Sequence, residues 1–126
     1  MNVPENLKYT KDHEWLKVEG EEGFVGVTDY AQHELGDIVF IEVETEGETL
    51  EKGSAFGTIE AVKTVSDMFM PVSGEVIEFN AALTTNPEIL NQDSYEKGWI
   101  IKIRITNPAQ VKELLSAAEY KTQIGA

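Results

Sequence analysis

The chain has no cysteine among its 126 residues. That excludes disulfides, a thiolate nucleophile and any cysteine-ligated metal site. Cations are scarce too: ten Lys and Arg stand against 23 Asp and Glu, for a formal net charge of −13. A surface of that sign disfavours nucleic acid and anionic membrane, which both need clustered cations, and favours partner proteins with basic patches. The two histidines, His13 and His33, read as surface or partly packed side chains and not as catalytic ones. No apolar run approaches membrane-spanning length. The opening stretch MNVPENLKYTKDHEW has neither the apolar core of a signal peptide nor the Arg-rich, acid-poor character of a transit peptide. The expectation is a soluble, cytoplasmic protein with one modest core.

What is present reads as mainly β. Short runs rich in Val, Ile and Phe occupy Phe24–Thr28, Asp37–Glu44, Ala55–Glu60, Val65–Met70, Gly74–Phe79 and Trp99–Ile105, with Gly or Pro between most of them. In the last run Trp99, Ile101, Ile103 and Ile105 share one face, opposite Lys102 and Arg104. Strands of this length and spacing predict a sandwich or small barrel. TDYAQHELG predicts a short helix over residues 28–35, with Thr28 as N-cap and Gly36 past its end. NPAQVKELLSAAEY predicts a longer C-terminal helix, about 108–120. Asn107 is its expected cap, Pro108 its first residue and Gln110 its capping-box partner, with Val111, Leu114, Leu115 and Ala118 as the apolar face. NPEIL, from Asn86, predicts a single turn. A faint repeat, GDIVFIEV from Gly36 and GEVIEFN from Gly74, suggests two similar β units with Lys63 between them.

The segment FGTIEAVKTVSDMFMPVSGEV, Phe56 to Val76, contains one cation, Lys63, in a β-branched setting of Val62, Thr64 and Val65. A lysine on an exposed turn is ordinary surface chemistry. A catalytic lysine needs burial or cationic neighbours to lower its pKa, and here Glu60 and Asp67 flank it instead. A third role, a lysine presented for covalent modification, needs a rigid protruding support. Ala55–Glu60 leading in and Val65–Met70 leading out supply one, with Pro71 ending the second strand and residues 61–65 at the tip. That tip has no glycine or Asn-Gly, so the hairpin is inferred from its flanks.

GTIEAVKTVSDMFMPVSGEVIEFN resembles the lipoylation region of the glycine cleavage system H protein family. Further matching segments are KYTKDHEW, VGVTDYAQHELGDIVFIEVE, NPEILNQDSYEKGWIIKI and the closing stretch to AEYK, so the resemblance runs from Leu7 to about Tyr120. It implies a lipoyl/biotinyl-like barrel-sandwich hybrid of two small antiparallel sheets, forming one lipoyl-carrier domain over residues 1–126. It also implies a carrier and not an enzyme, with lipoic acid in amide linkage to Lys63. Its implied partners are a pyridoxal-phosphate glycine decarboxylase, an aminomethyltransferase, dihydrolipoamide dehydrogenase and a lipoylating enzyme. Glu60 and Asp67 are candidates for recognition. The helix over 28–35 is the implied docking wall for the loaded arm, with Glu34 or Glu14 receiving its amine. Some relatives carry histidine where Glu34 stands. A biotin carrier is disfavoured because Val62 and Thr64 replace the usual flanking methionines. A 2-oxoacid dehydrogenase lipoyl domain is disfavoured by the absence of a Pro/Ala-rich linker.

Overall fold

The computed structural model describes residues 1–126. In chain order the elements are β1 Lys8–Tyr9, β2 Glu14–Glu19, β3 Glu22–Val27, α1 Asp29–Leu35, β4 Ile38–Glu42, β5 Thr49–Leu50, β6 Ala55–Ala61, β7 Val65–Phe69, β8 Gly74–Phe79, α2 Ala82–Thr85, α3 Ile89–Gln92, β9 Ile101–Ile105, a 3-10 helix Pro108–Glu113 and α4 Ala117–Ile124. Six strands form one sheet in the order β1-β2-β3-β9-β8-β5, and three form another, β4-β6-β7. All pairings are antiparallel. The expected two-sheet β architecture is therefore present, with one sheet larger than anticipated.

The two sheets enclose one apolar core. Leu16, Val25, Val76, Ile101, Ile103 and Ile105 come from the six-stranded sheet. Ile38, Ile41, Phe56, Ile59 and Met68 come from the three-stranded one, and Leu83 and Leu90 of α2 and α3 close an end. A second cluster of Val3, Leu7, Tyr9, Trp15, Ala117 and Tyr120 forms where the N-terminal segment and α4 meet β1 and β2. Successive strand residues point to opposite faces. Trp15 thus serves the second cluster while Glu14 and Leu16 turn toward the main one, and three consecutive residues of β2 are buried. Gly26, the cross-strand partner of Trp15, makes room for the indole: a Cβ there would lie 2.7 Å from the ring.

Three expectations need correction. β2 and the short β1, β5 and α2 were not anticipated. The C-terminal helix is two pieces, because Leu114 is extended (ψ 161°) and Leu115 pairs with Tyr9 through two backbone hydrogen bonds of 2.8 and 2.9 Å. Asn107 makes no side-chain cap, and Gln110 instead accepts from the Ser73 N–H at 2.7 Å. The capping box belongs to Ser116 and Glu119, Ala117 and Tyr120 are the buried residues of α4, and Ala118 is exposed. Finally, the two repeat-like segments, around β4 and β8, do not pair with each other but fall in different sheets, and Lys63 lies at the expected hairpin tip, between β6 and β7.

Leu114 is only partly buried against the core, whereas Leu16 is fully enclosed. Urea unfolding should therefore show Leu16→Ala losing about 2–5 kcal/mol and Leu114→Ala less than about 2 kcal/mol. Equal losses would mean that the segment after the 3-10 helix packs more deeply than described.

Candidate functional site

Lys63 stands in the three-residue tip, Val62 to Thr64, between β6 and β7, and it is exposed. No glycine shapes the tip. It is held by the Ala61 N–H donating to the Thr64 carbonyl at 2.8 Å and by the Val62 N–H donating to the Asp37 carbonyl at 3.1 Å. The α1–β4 turn that receives it is itself fixed. Asn91 of α3 donates to the Gly36 carbonyl at 2.8 Å and to Gln32 Oε1 at 3.0 Å, and its Oδ1 accepts from the Ile38 N–H at 2.9 Å. The lysine stem lies over Gly36, where an added Cβ would sit 3.5 Å from Lys63 Cε. The ammonium makes no side-chain hydrogen bond and none of the four salt bridges includes it. It is a free amine on a rigid support.

Beside this tip a groove of about 250 Å³ runs between α1 and β7. Val27, Ala31, Leu35, Ile59 and Met68 give it an apolar floor, and its ionisable groups are Asp12, His13, Glu14, Tyr30, Glu34 and Asp67. Three of the four acidic candidates are thus gathered on one cleft, and the helix expected to wall it does so. Glu60 is not among them. Its side chain lies on the outer face of the three-stranded sheet, opposite Phe40 and Val65 in register. Asp67, one row further along edge strand β7, touches both the groove and that outer face.

Glu14 is 2% exposed. Its Oε1 accepts from Thr10 Oγ1–H at 2.7 Å and its Oε2 from the Phe69 N–H at 3.1 Å. Burial dominates, and it raises the carboxyl to about 7 despite those two hydrogen bonds. His13 also lines the groove, and its place beside Glu14 is the one signal in the residues that points there. His13 adopts a left-handed φ of 70°, and its Nδ1 lies 2.8 Å from the Tyr120 hydroxyl. That hydroxyl is also 2.7 Å from Thr28 Oγ1, which caps α1 by accepting from the Ala31 N–H. Burial pushes the Tyr120 phenol up to about 12 and the His13 imidazole down. The chain from α4 through Tyr120 to α1 and His13 therefore consists of neutral hydrogen-bonding groups, and it sets the wall of the groove from behind.

A sequence model of the glycine cleavage H-protein family matches residues 7–125. This chain belongs to the glycine cleavage H-protein family. Its relatives include the glycine cleavage system H proteins of Bacteroides fragilis, 56% identical over 126 residues and the whole of both chains, and of Staphylococcus carnosus, 50% identical over 99% of both. The crystal structure of a glycine cleavage system H protein from Mycobacterium marinum superposes with a TM-score of 0.90 at 38% identity, covering 98% of this chain and 100% of that one. The fold is accordingly the lipoyl/biotinyl-like barrel-sandwich, and the family is the lipoyl carrier of the glycine cleavage system. A biotin carrier or a 2-oxoacid dehydrogenase lipoyl domain is not favoured.

A carboxyl whose pKa is higher folded than unfolded favours folding while protonated. Its contribution is present below the unfolded value and is lost as pH rises through the folded one. For Glu14 the window runs from about 4.5 to about 7. Relative to Glu14→Gln, the wild type should lose stability across that window, by roughly 3 kcal/mol in all, and then stay level above pH 7. Urea unfolding of both proteins at several pH values checks this, and parallel stability curves would show that Glu14 does not titrate there.

Proposed function

We propose that Lys63 is the lipoyl attachment site and that the whole chain, residues 1–126, works as one non-catalytic carrier domain in the cytoplasm. The observation that carries this reading is a free, exposed lysine on a hairpin tip pinned at both ends, beside a groove with an apolar floor. The fit to lipoate is chemical. The groove offers apolar side chains to a largely apolar arm and carboxylates to an amine at its end. Bound at Lys63, lipoate supplies the dithiolane chemistry that carries the aminomethyl group of glycine, which this cysteine-free chain lacks. Its partners are then the pyridoxal-phosphate decarboxylase, the aminomethyltransferase, dihydrolipoamide dehydrogenase and a lipoylating enzyme.

The chain's own residues bind and shield. Leu35, Ile59 and Met68 exclude water from the groove, and Tyr120 holds α1 in place. Glu14 is half protonated near neutrality, so an arriving ammonium favours its carboxylate and Glu14 gives up its proton as the amine enters. Glu34, exposed at the groove's edge, adds a second negative charge. Glu60 remains on the outside, and Asp67 reaches that face from the groove's rim, where a partner's basic groups meet both.

Intact mass of protein from its native host should show one lipoyl adduct, and Lys63→Arg should show none. A biotin-sized adduct, or lipoylation surviving the substitution, would sink the assignment. In a separate experiment, protein loaded with the aminomethyl group should release ammonia about tenfold faster in Glu14→Ala or Glu34→Ala, as loss of a charged hydrogen bond implies. The lipoate carried should be unchanged. Identical decay in the wild type and both variants would remove both residues from this role.

A further inference from the structure

The outer face of the three-stranded sheet presents an apolar patch around the Lys63 tip. Val62 is 76% exposed, Val65 62%, Val39 48% and Phe40 46%. These are four of the six large hydrophobic side chains that the chain leaves exposed. Their proximity follows from register: Phe40 pairs with Glu60, Glu60 pairs with Val65, and Val62 stands just beyond on the tip. The β4–β6 register shifts between Ile38 and Phe40, adding one residue to β4. Val39 and Phe40 are both exposed there, while Ile38 and Ile41 stay in the core. Bulges re-aim side chains in this way, often beside functional sites. Glu60, on the central strand, stands between Phe40 and Val65, the exposed acids Asp37, Glu42 and Asp67 lie around them, and no salt bridge includes any of the four.

We propose that this patch, Val39, Phe40, Val62 and Val65 within its acidic rim, is the seat of the enzyme that acylates Lys63, a partner offering an apolar contact bordered by basic residues. The proposal rests on the reading of Lys63 as the attachment site. Clustered exposed apolar side chains mark a binding surface, and the unpaired acids among and around them, Glu60 at the centre, call for cations on the other side. A second copy of this chain would bring the same acids face to face at a net charge of −13 each. The acylating enzyme is the partner that must approach most closely. Before acylation the lysine has only its own four-carbon stem, so its amine reaches an active site only if that site's rim rests on the tip and its sheet. The reaction is balanced with an acyl adenylate as donor. The Lys63 ammonium loses one proton to solvent, its Nζ attacks the acyl carbon, the amide C–N bond forms as the nitrogen loses a second proton to solvent, the C–O bond to the adenylate breaks and AMP leaves. No electrons are transferred.

The test uses the unmodified full-length protein, a lipoate–protein ligase, lipoate and ATP, with lipoyl mass at Lys63 as the readout. Phe40→Ser and Val65→Thr should each lower kcat/KM about tenfold, mainly through KM, since burial of such side chains carries that much binding. Val65→Thr keeps the β-branched shape and so the strand. Glu42→Lys should lower kcat/KM further and flatten its fall with added salt, while Val18→Ser, exposed on the other sheet, should change nothing. Wild-type kinetics in both patch variants would overturn the proposal and leave the Lys63 reading intact. A wild type that gains no lipoyl mass at Lys63 would defeat that reading, and this proposal with it. A dimer of the wild type in light scattering, abolished by Phe40→Ser, would give the patch to a second copy and overturn the proposal as well.

Discussion

One buried carboxyl joins the two sheets where the cleft needs them joined. Glu14 belongs to β2 of the six-stranded sheet, and Phe69, whose N–H it accepts, belongs to β7 at the edge of the other. An edge strand carries backbone donors that must be paired or wetted, and Glu14 satisfies one from across the sandwich. Its second oxygen is held by Thr10, whose hydroxyl also accepts from the Asp12 and Glu14 N–H groups. The groove beside β7 keeps its width because this bridge fixes β7 against β2. The same contact places an ionisable group at the groove's inner wall, poised by burial near neutrality. Structure and chemistry here depend on the same atoms, so replacing Glu14 perturbs both.

The tip faces the opposite demand. A modified lysine has to be reachable, yet a floppy tip would spend binding energy on ordering itself. The hairpin resolves this without special turn residues, by donating Val62 N–H to the carbonyl of Asp37 at the α1–β4 turn, which Asn91 fixes from α3. Gly36, at φ 81°, is the close approach that lets the Lys63 stem lie flat beside it. The support is therefore tertiary, and the side chain it carries remains free.

Much of this was legible in the residues, and the exceptions share a cause. β8 matches its sequence run residue for residue, and α1 begins and ends at its Thr28 and Gly36 signals, because each pattern answers to a local rule. β2 was opaque because Glu14, Trp15 and Leu16 are all buried, which erases the polar–apolar alternation that marks a half-exposed strand. The C-terminal segment misleads in the other direction. Its helical spacing is real, but Tyr9 takes Leu115 into a two-way backbone pairing, and Ser116 then starts a new helix with its own capping box. Tertiary hydrogen bonds outbid local propensity there. In the site, the hairpin that exposes Lys63 could be read from its flanking runs, and helix α1 from its end signals. His13 and Tyr120 could not, since they meet across 107 positions of sequence.

Charge is distributed to match this division of labour. Three of the four salt bridges involve residues on strands of the six-stranded sheet, and the fourth joins Lys52 to Glu113. Strands β4, β6 and β7 carry Glu42, Glu60 and Asp67 and no cation. Lys63, at the tip between two of them, is the one positive charge on that hairpin. If the arm is attached there, as proposed, amide formation removes that charge. The field around the arm is then of one sign, and long-range attraction to basic rims strengthens as the carrier becomes competent. On the proposed attachment, a single acylation would both lengthen the reach of Lys63 and complete an acidic surface able to steer its encounters.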